Sequence, residues 1–71
     1  MKIYHYTIRY SFEDRKKNEA GYGVLCYSSL KPLDDLSFDE FGRLEREIAL
    51  SRNHQIVSIM CYSLNKAEII K

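Results

Sequence analysis

Proline, glycine and cysteine are scarce in this chain, and each scarcity excludes something. Pro32 is the single proline and there are three glycines in 71 residues, which leaves little material for long loops. Two cysteines, Cys26 and Cys61, are too few for a disulfide scaffold, and both read as small core hydrophobes in apolar strand contexts. No apolar run approaches the roughly 18 residues that cross a bilayer, so no membrane partner is expected. Met1 to Tyr6 alternates polar and aromatic residues instead of forming the apolar block of a signal peptide, so the chain is expected to stay in the cytoplasm. Neither sign of charge dominates. The 11 basic residues face 10 acidic ones, a balance that removes the strongest electrostatic case for nucleic acid or an anionic membrane.

What is present describes one small globular domain over residues 1–71. A hydrophobic share of 45% with 30% charged residues is too apolar for disorder. A chain this short buries only about 60% of its unfolded surface. Its core is small, and a second copy or another protein is a natural way to complete it.

Lys2 to Phe12 alternates strictly. Tyr4, Tyr6, Ile8, Tyr10 and Phe12 share one face, and His5, Thr7, Arg9 and Ser11 share the other, which predicts a strand with one buried and one wet face. Glu13 to Glu19 is too polar to pack and reads as a solvated hairpin loop. Gly21-Tyr22-Gly23 then leads into a second strand, Val24 to Tyr27. Ser28 to Leu36 is a connection in which Pro32 disfavours helix at Lys31.

A helix start is sharply specified at Ser37. Ser37 with Glu40 forms a capping box, Leu36 with Phe41 a hydrophobic staple, and Asp39 and Glu40 suit the positive end of the helix dipole. Phe41, Leu44 and Ile48 make one apolar stripe, which Phe38 and Ala49 are positioned to widen. The helix is expected to stop near Arg52-Asn53. Gln55 to Leu64 reads as a third strand, with Val57, Ile59 and Cys61 on one face and Ile56, Met60, Tyr62 and Leu64 on the other. Ala67 to Ile70 suggests a short final edge strand. The sum is an α+β chain of order β-β-α-β: a three-stranded antiparallel sheet in spatial order 2-1-3, with one helix on one face and the other face open.

Chemistry is harder to place. His5, Cys26, His54 and Cys61 match zinc ligands in type, but none of them has the close local spacing such sites use, so no metal is expected. There is no nucleophile motif and no phosphate-cradling loop, and the sheet with its one helix has little room for a deep pocket, so neither an enzyme nor a cofactor is expected. Strand tyrosines and Arg9, with Arg15-Lys16-Lys17 in the hairpin loop, make single-stranded nucleic acid the rival reading, although Tyr4, Tyr6 and Tyr10 are needed as core. The acidic helix reads as a solvated face with pairs such as Asp39–Arg43 and Arg43–Glu47.

One resemblance adds to this. The segment from Leu36-Ser37-Phe38-Asp39-Glu40-Phe41 through Gln55-Ile56-Val57-Ser58-Ile59-Met60 resembles the C-terminal half of many short, uncharacterised proteins of bacterial prophages and other mobile elements. It covers about half the chain and carries no diagnostic motif. The resemblance implies a small accessory protein that modulates a host protein. The expected function is therefore non-catalytic protein binding, with His5, Thr7, Arg9, Arg15, Lys16, Lys17 and Tyr22 as the contact surface and a homodimer among the partners considered.

Overall fold

The alternation of the first segment is obeyed to the residue. In the computed structural model, which describes all of residues 1–71, strand β1 runs Lys2–Asp14 and strand β2 runs Glu19–Ser29. A short 3-10 turn, Leu33–Asp35, precedes helix α1 at Phe38–Arg52, and strand β3 closes the chain at Ile56–Ile69. The sheet order is β2-β1-β3 with both pairings antiparallel, so the α+β arrangement is as expected. No separate final strand exists, because Ala67 to Ile69 simply continues β3 along β1.

Tyr6, Ile8 and Tyr10 are buried beneath α1, with Tyr4 and Phe12 packed at the margins. From the helix, Leu44, Ile48 and Ala49 complete the core, together with Leu33 and Val57. Phe41 is half-buried with its ring centroid 6.1 Å from that of Tyr62, whereas Phe38 is 93% exposed and does not widen the stripe. The capping box forms in full: Ser37 Oγ accepts from the Glu40 amide at 3.1 Å, and Glu40 Oε1 accepts from the Ser37 amide at 3.1 Å. Asn53 ends the helix in the left-handed conformation at φ 59°. The expected Asp39–Arg43 and Arg43–Glu47 pairs do not form; Glu40 instead meets Lys31 Nζ at 3.3 Å.

The hairpin is longer than its polarity suggests. Glu13 and Asp14 belong to β1, and the loop shrinks to a turn over Arg15–Asn18. Asp14 is only 5% exposed and lies 3.6 Å from Lys17 Nζ. Across the sheet, Gly21 and Gly23 are strand residues, not a lead-in. A Cβ on Gly23 would sit 2.3 Å from Tyr10 Cζ and Oη, and one on Gly21 would sit 3.0 Å from Phe12 Cζ. The two rings lie across the glycines and supply the packing that the missing side chains cannot.

The largest departure from strict alternation is in β3. Its register against β1 shifts twice, between His5 and Tyr6 and between Arg9 and Tyr10, leaving Asn65 and Met60 as the extra residues. Past Met60 the faces exchange. Tyr62 pairs with Ile8 and Leu64 with Tyr6, so both join Val57 and Ile59 on the helix side, while Cys61 pairs with Arg9 on the open side.

The helix is short for its sheet. Fifteen residues give α1 a length of about 22 Å, whereas thirteen residues extend β1 to about 43 Å. The molecule measures 46 × 22 × 17 Å, with a radius of gyration of 13.2 Å. A compact chain of this length has about 11 Å.

Candidate docking surface

The open face is built from the odd-numbered residues of β1 and their cross-strand neighbours. His5, Thr7 and Arg9 lie along its centre, flanked on β2 by Ser28, Cys26, Val24 and Tyr22 and on β3 by Lys66, Ser63 and Cys61. The face has two chemically distinct parts.

At the end near the first residues, a polar network fixes the side chains. His5 Nδ1 is 2.8 Å from Ser28 Oγ and its Nε2 is 3.2 Å from Glu68 Oε1. The hydrogen bond from His5, followed by the charge of Lys66 at 3.6 Å, holds the Glu68 carboxyl below its ordinary value. Beside it, Asn65 Nδ2 donates to Thr7 Oγ1 at 2.7 Å, so this extra residue of β3 is tied to the central strand.

The middle of the face is apolar around one charge. Tyr22 is 78% exposed, Val24 55% and Met60 60%, and with Arg9, Tyr10 and Gly23 they line a shallow cleft of about 350 Å³. Arg9 is exposed and makes no ion pair. Met60 reaches this cleft because it follows Ile59 and so points to the opposite side, and the bulge there brings Cys61 to the open side as well. Cys26 and Cys61 are exposed here, contrary to their expected place in the core. They flank β1 from opposite sides, so about 10 Å of sheet separates them, too far for a disulfide.

The seven residues singled out in the sequence divide into two places. His5, Thr7, Arg9 and Tyr22 share the open face. Arg15, Lys16 and Lys17 sit at the hairpin tip, about 17 Å beyond Arg9 along the strand. There Arg15 Nε meets Glu13 at 3.2 Å and Lys17 meets Asp14 at 3.6 Å, so acidic neighbours compensate two of the three charges. Val24, Met60 and the two cysteines belong to the face but were not legible as such. The exposed apolar residues of β2 and the alternation of Met60 against Ile59 were the available signals; the position of Cys61 was not, since it depends on a bulge.

The tyrosines lie mostly on the other side. Tyr4, Tyr6, Tyr10, Tyr27 and Tyr62 all face α1, which leaves Tyr22 alone on the open face. Tyr62 donates its hydroxyl to Asp34, and that hydrogen bond raises its pKa. The four residues that matched zinc ligands in type are divided likewise: His54 stacks on Phe12 at 3.8 Å on the helix side, whereas His5, Cys26 and Cys61 are on the open face. No helix is long and apolar enough to cross a membrane.

No family model, curated protein or solved structure matches the chain.

Proposed function

We propose that the chain is a small non-catalytic protein-binding module that docks a partner on the open face of its sheet. One observation carries this reading: Tyr22, Val24 and Met60 form an exposed apolar cluster around Arg9, a cation with no partner in its own chain. Aromatic residues, methionine and arginine are the types enriched at protein interfaces, and such clusters with a polar rim mark docking sites. The unpaired guanidinium favours a partner that brings a carboxylate among apolar side chains. In the setting that the resemblance implies, that partner is a host protein whose activity the module modulates in the cytoplasm.

Single-stranded nucleic acid is the second reading. It needs stacked aromatics and free phosphate contacts on one surface. Tyr22 is the one tyrosine available on the open face, and the basic turn is distant and partly neutralised, so the protein reading is favoured.

Affinity capture from a bacterial lysate separates the two, using wild type, Arg9→Glu and Tyr22→Ala with and without nuclease. A protein that survives nuclease on wild type and is lost from both variants supports docking on this face. Loss of all retained material on nuclease treatment overturns it in favour of nucleic acid. Salt gives an independent check, since binding to phosphates weakens steeply as salt is added.

A further inference from the structure

We infer that the edge strand β2 pairs antiparallel with β2 of a second copy, about a two-fold axis at Val24, joining two sheets into one of six strands. The two edges of this sheet are unlike. The β3 edge carries two bulges and the charges Lys66 and Glu68, devices that discourage further pairing. β2 has none of them. Its register against β1 runs unbroken from Tyr4↔Ser29 to Asp14↔Glu19, it contains no proline, and Glu19 at one end is its only charge. An edge so flat, long and uncharged is a template for another strand.

A second copy of β2 fits that template. The register that pairs β2 along its whole length with itself places Val24 opposite Val24, Tyr22 opposite Cys26, Gly23 opposite Leu25 and Gly21 opposite Tyr27. No like charges meet. On the helix side, the large Leu25 and Tyr27 of each copy come to lie against glycines whose space holds the Tyr10 and Phe12 rings. Leu25 and Tyr27 are half-buried in the single chain, at the floor of a groove of about 320 Å³ whose other wall includes Leu44 and Ile48. Pairing extends that floor with more apolar surface.

Area points the same way. The chain exposes 5285 Å², whereas a compact protein of its mass exposes about 4,600 Å². The excess, about 700 Å², is close to the roughly 800 Å² that each partner buries in a standard interface. Stacking two open faces centred on the apolar patch is the less favourable way to remove it, because it sets Arg9 on the central strand against its own copy. Edge pairing instead aligns the two open faces in one plane, and the proposed docking cluster then straddles the axis.

Sedimentation equilibrium of the purified full chain tests this without any docking partner, so its outcome is separable from that of the capture experiment. Wild type is expected at twice the chain mass. Val24→Lys and Val24→Glu each bring like charges face to face on the axis and are expected to weaken the dimer about tenfold, while an equimolar mixture of the two restores it. Wild type at the single-chain mass up to high concentration, or a dimer indifferent to both variants, overturns the inference. The register has its own test. In a Cys61→Ala background, Tyr22→Cys faces Cys26 of the second copy, and oxidation with diamide is expected to give a covalent dimer that Cys26→Ala abolishes. A covalent dimer that persists in Cys26→Ala, or none in its presence, also overturns it.

Discussion

Glu45 Oε2 accepts a hydrogen bond from the Ile59 amide at 2.8 Å, immediately before the extra residue Met60. As an edge strand β3 has backbone groups without a neighbouring strand, and here a helix carboxylate takes up one of them. The contact therefore couples α1 to the point at which β3 exchanges its faces, sending Cys61 to the open side and Tyr62 to the core side.

Removing that acceptor is expected to destabilise the fold. Glu45→Ala should cost about 1–3 kcal/mol, the range for a hydrogen bond to a charged group, and Glu45→Gln, which keeps an acceptor, distinctly less. Chemical denaturation measures both. In a Cys26→Ala background, fast reaction of Cys61 with a thiol reagent reports that the bulge is in place; slow reaction in Glu45→Ala would mean that the strand has slipped by one residue.

Two glycines of opposite behaviour test the packing. Gly23→Ala drives a methyl group into the Tyr10 ring, which is 3% exposed and has little freedom to move, and should cost about 1–3 kcal/mol. Gly42→Ala meets nothing within 4 Å inside the helix and should stabilise by about 0.5–1 kcal/mol. Thermal melts of the two variants should move in opposite directions.

Tyr6 anchors the connection between sheet and helix. Its hydroxyl oxygen accepts from the Leu33 amide at 3.0 Å in a buried setting. Tyr6→Phe leaves that amide without a partner and should cost about 1–3 kcal/mol, read from the denaturation midpoint at constant slope.

The helix cap makes part of the stability depend on pH. The Glu40 carboxyl is held below its ordinary value of 4.5, first by the hydrogen bond from the Ser37 amide, then by the Ser37 hydroxyl and Lys31. Because the folded value is the lower one, the contribution is complete above the unfolded value and is lost as pH falls through the folded one. The stability difference between wild type and Glu40→Ala should stay constant through neutral pH and shrink as pH falls below the ordinary value of 4.5. A difference unchanged in acid would show that the cap acts without its charge.

How much of this was legible varies by element. The faces of β1 followed from alternation alone, because the central strand has no bulge of its own and is paired on both sides. The helix start followed from Ser37 and Glu40, whose hydrogen bonds are local. The strand character of Gly21 and Gly23 did not, since what fills their space is contributed by Tyr10 and Phe12 across the hairpin. Strict alternation puts the second half of β3 on inverted faces, with Cys61 in the core and Tyr62 opposite. Period-two reasoning presumes an unbroken ladder, and the contacts at its two breaks, from Glu45 and Thr7, are distant in sequence. The candidate surface was half legible for the same reason: His5, Thr7 and Arg9 by alternation, Tyr22 only as a residue of the loop before β2, and Cys61 not at all.

A helix that spans about half the length of its strands also divides the sheet by local stability. Amides of Tyr6 to Tyr10 lie among the residues buried under α1 and are expected to exchange with solvent only when the whole domain opens, whereas those at the hairpin tip, beyond the last β1–β3 pair at Glu13, are expected to open more readily. Within β1, amide protection should therefore fall by orders of magnitude from its middle to the hairpin tip. One strand would hold both the most persistent and the most fleeting hydrogen bonds of the molecule.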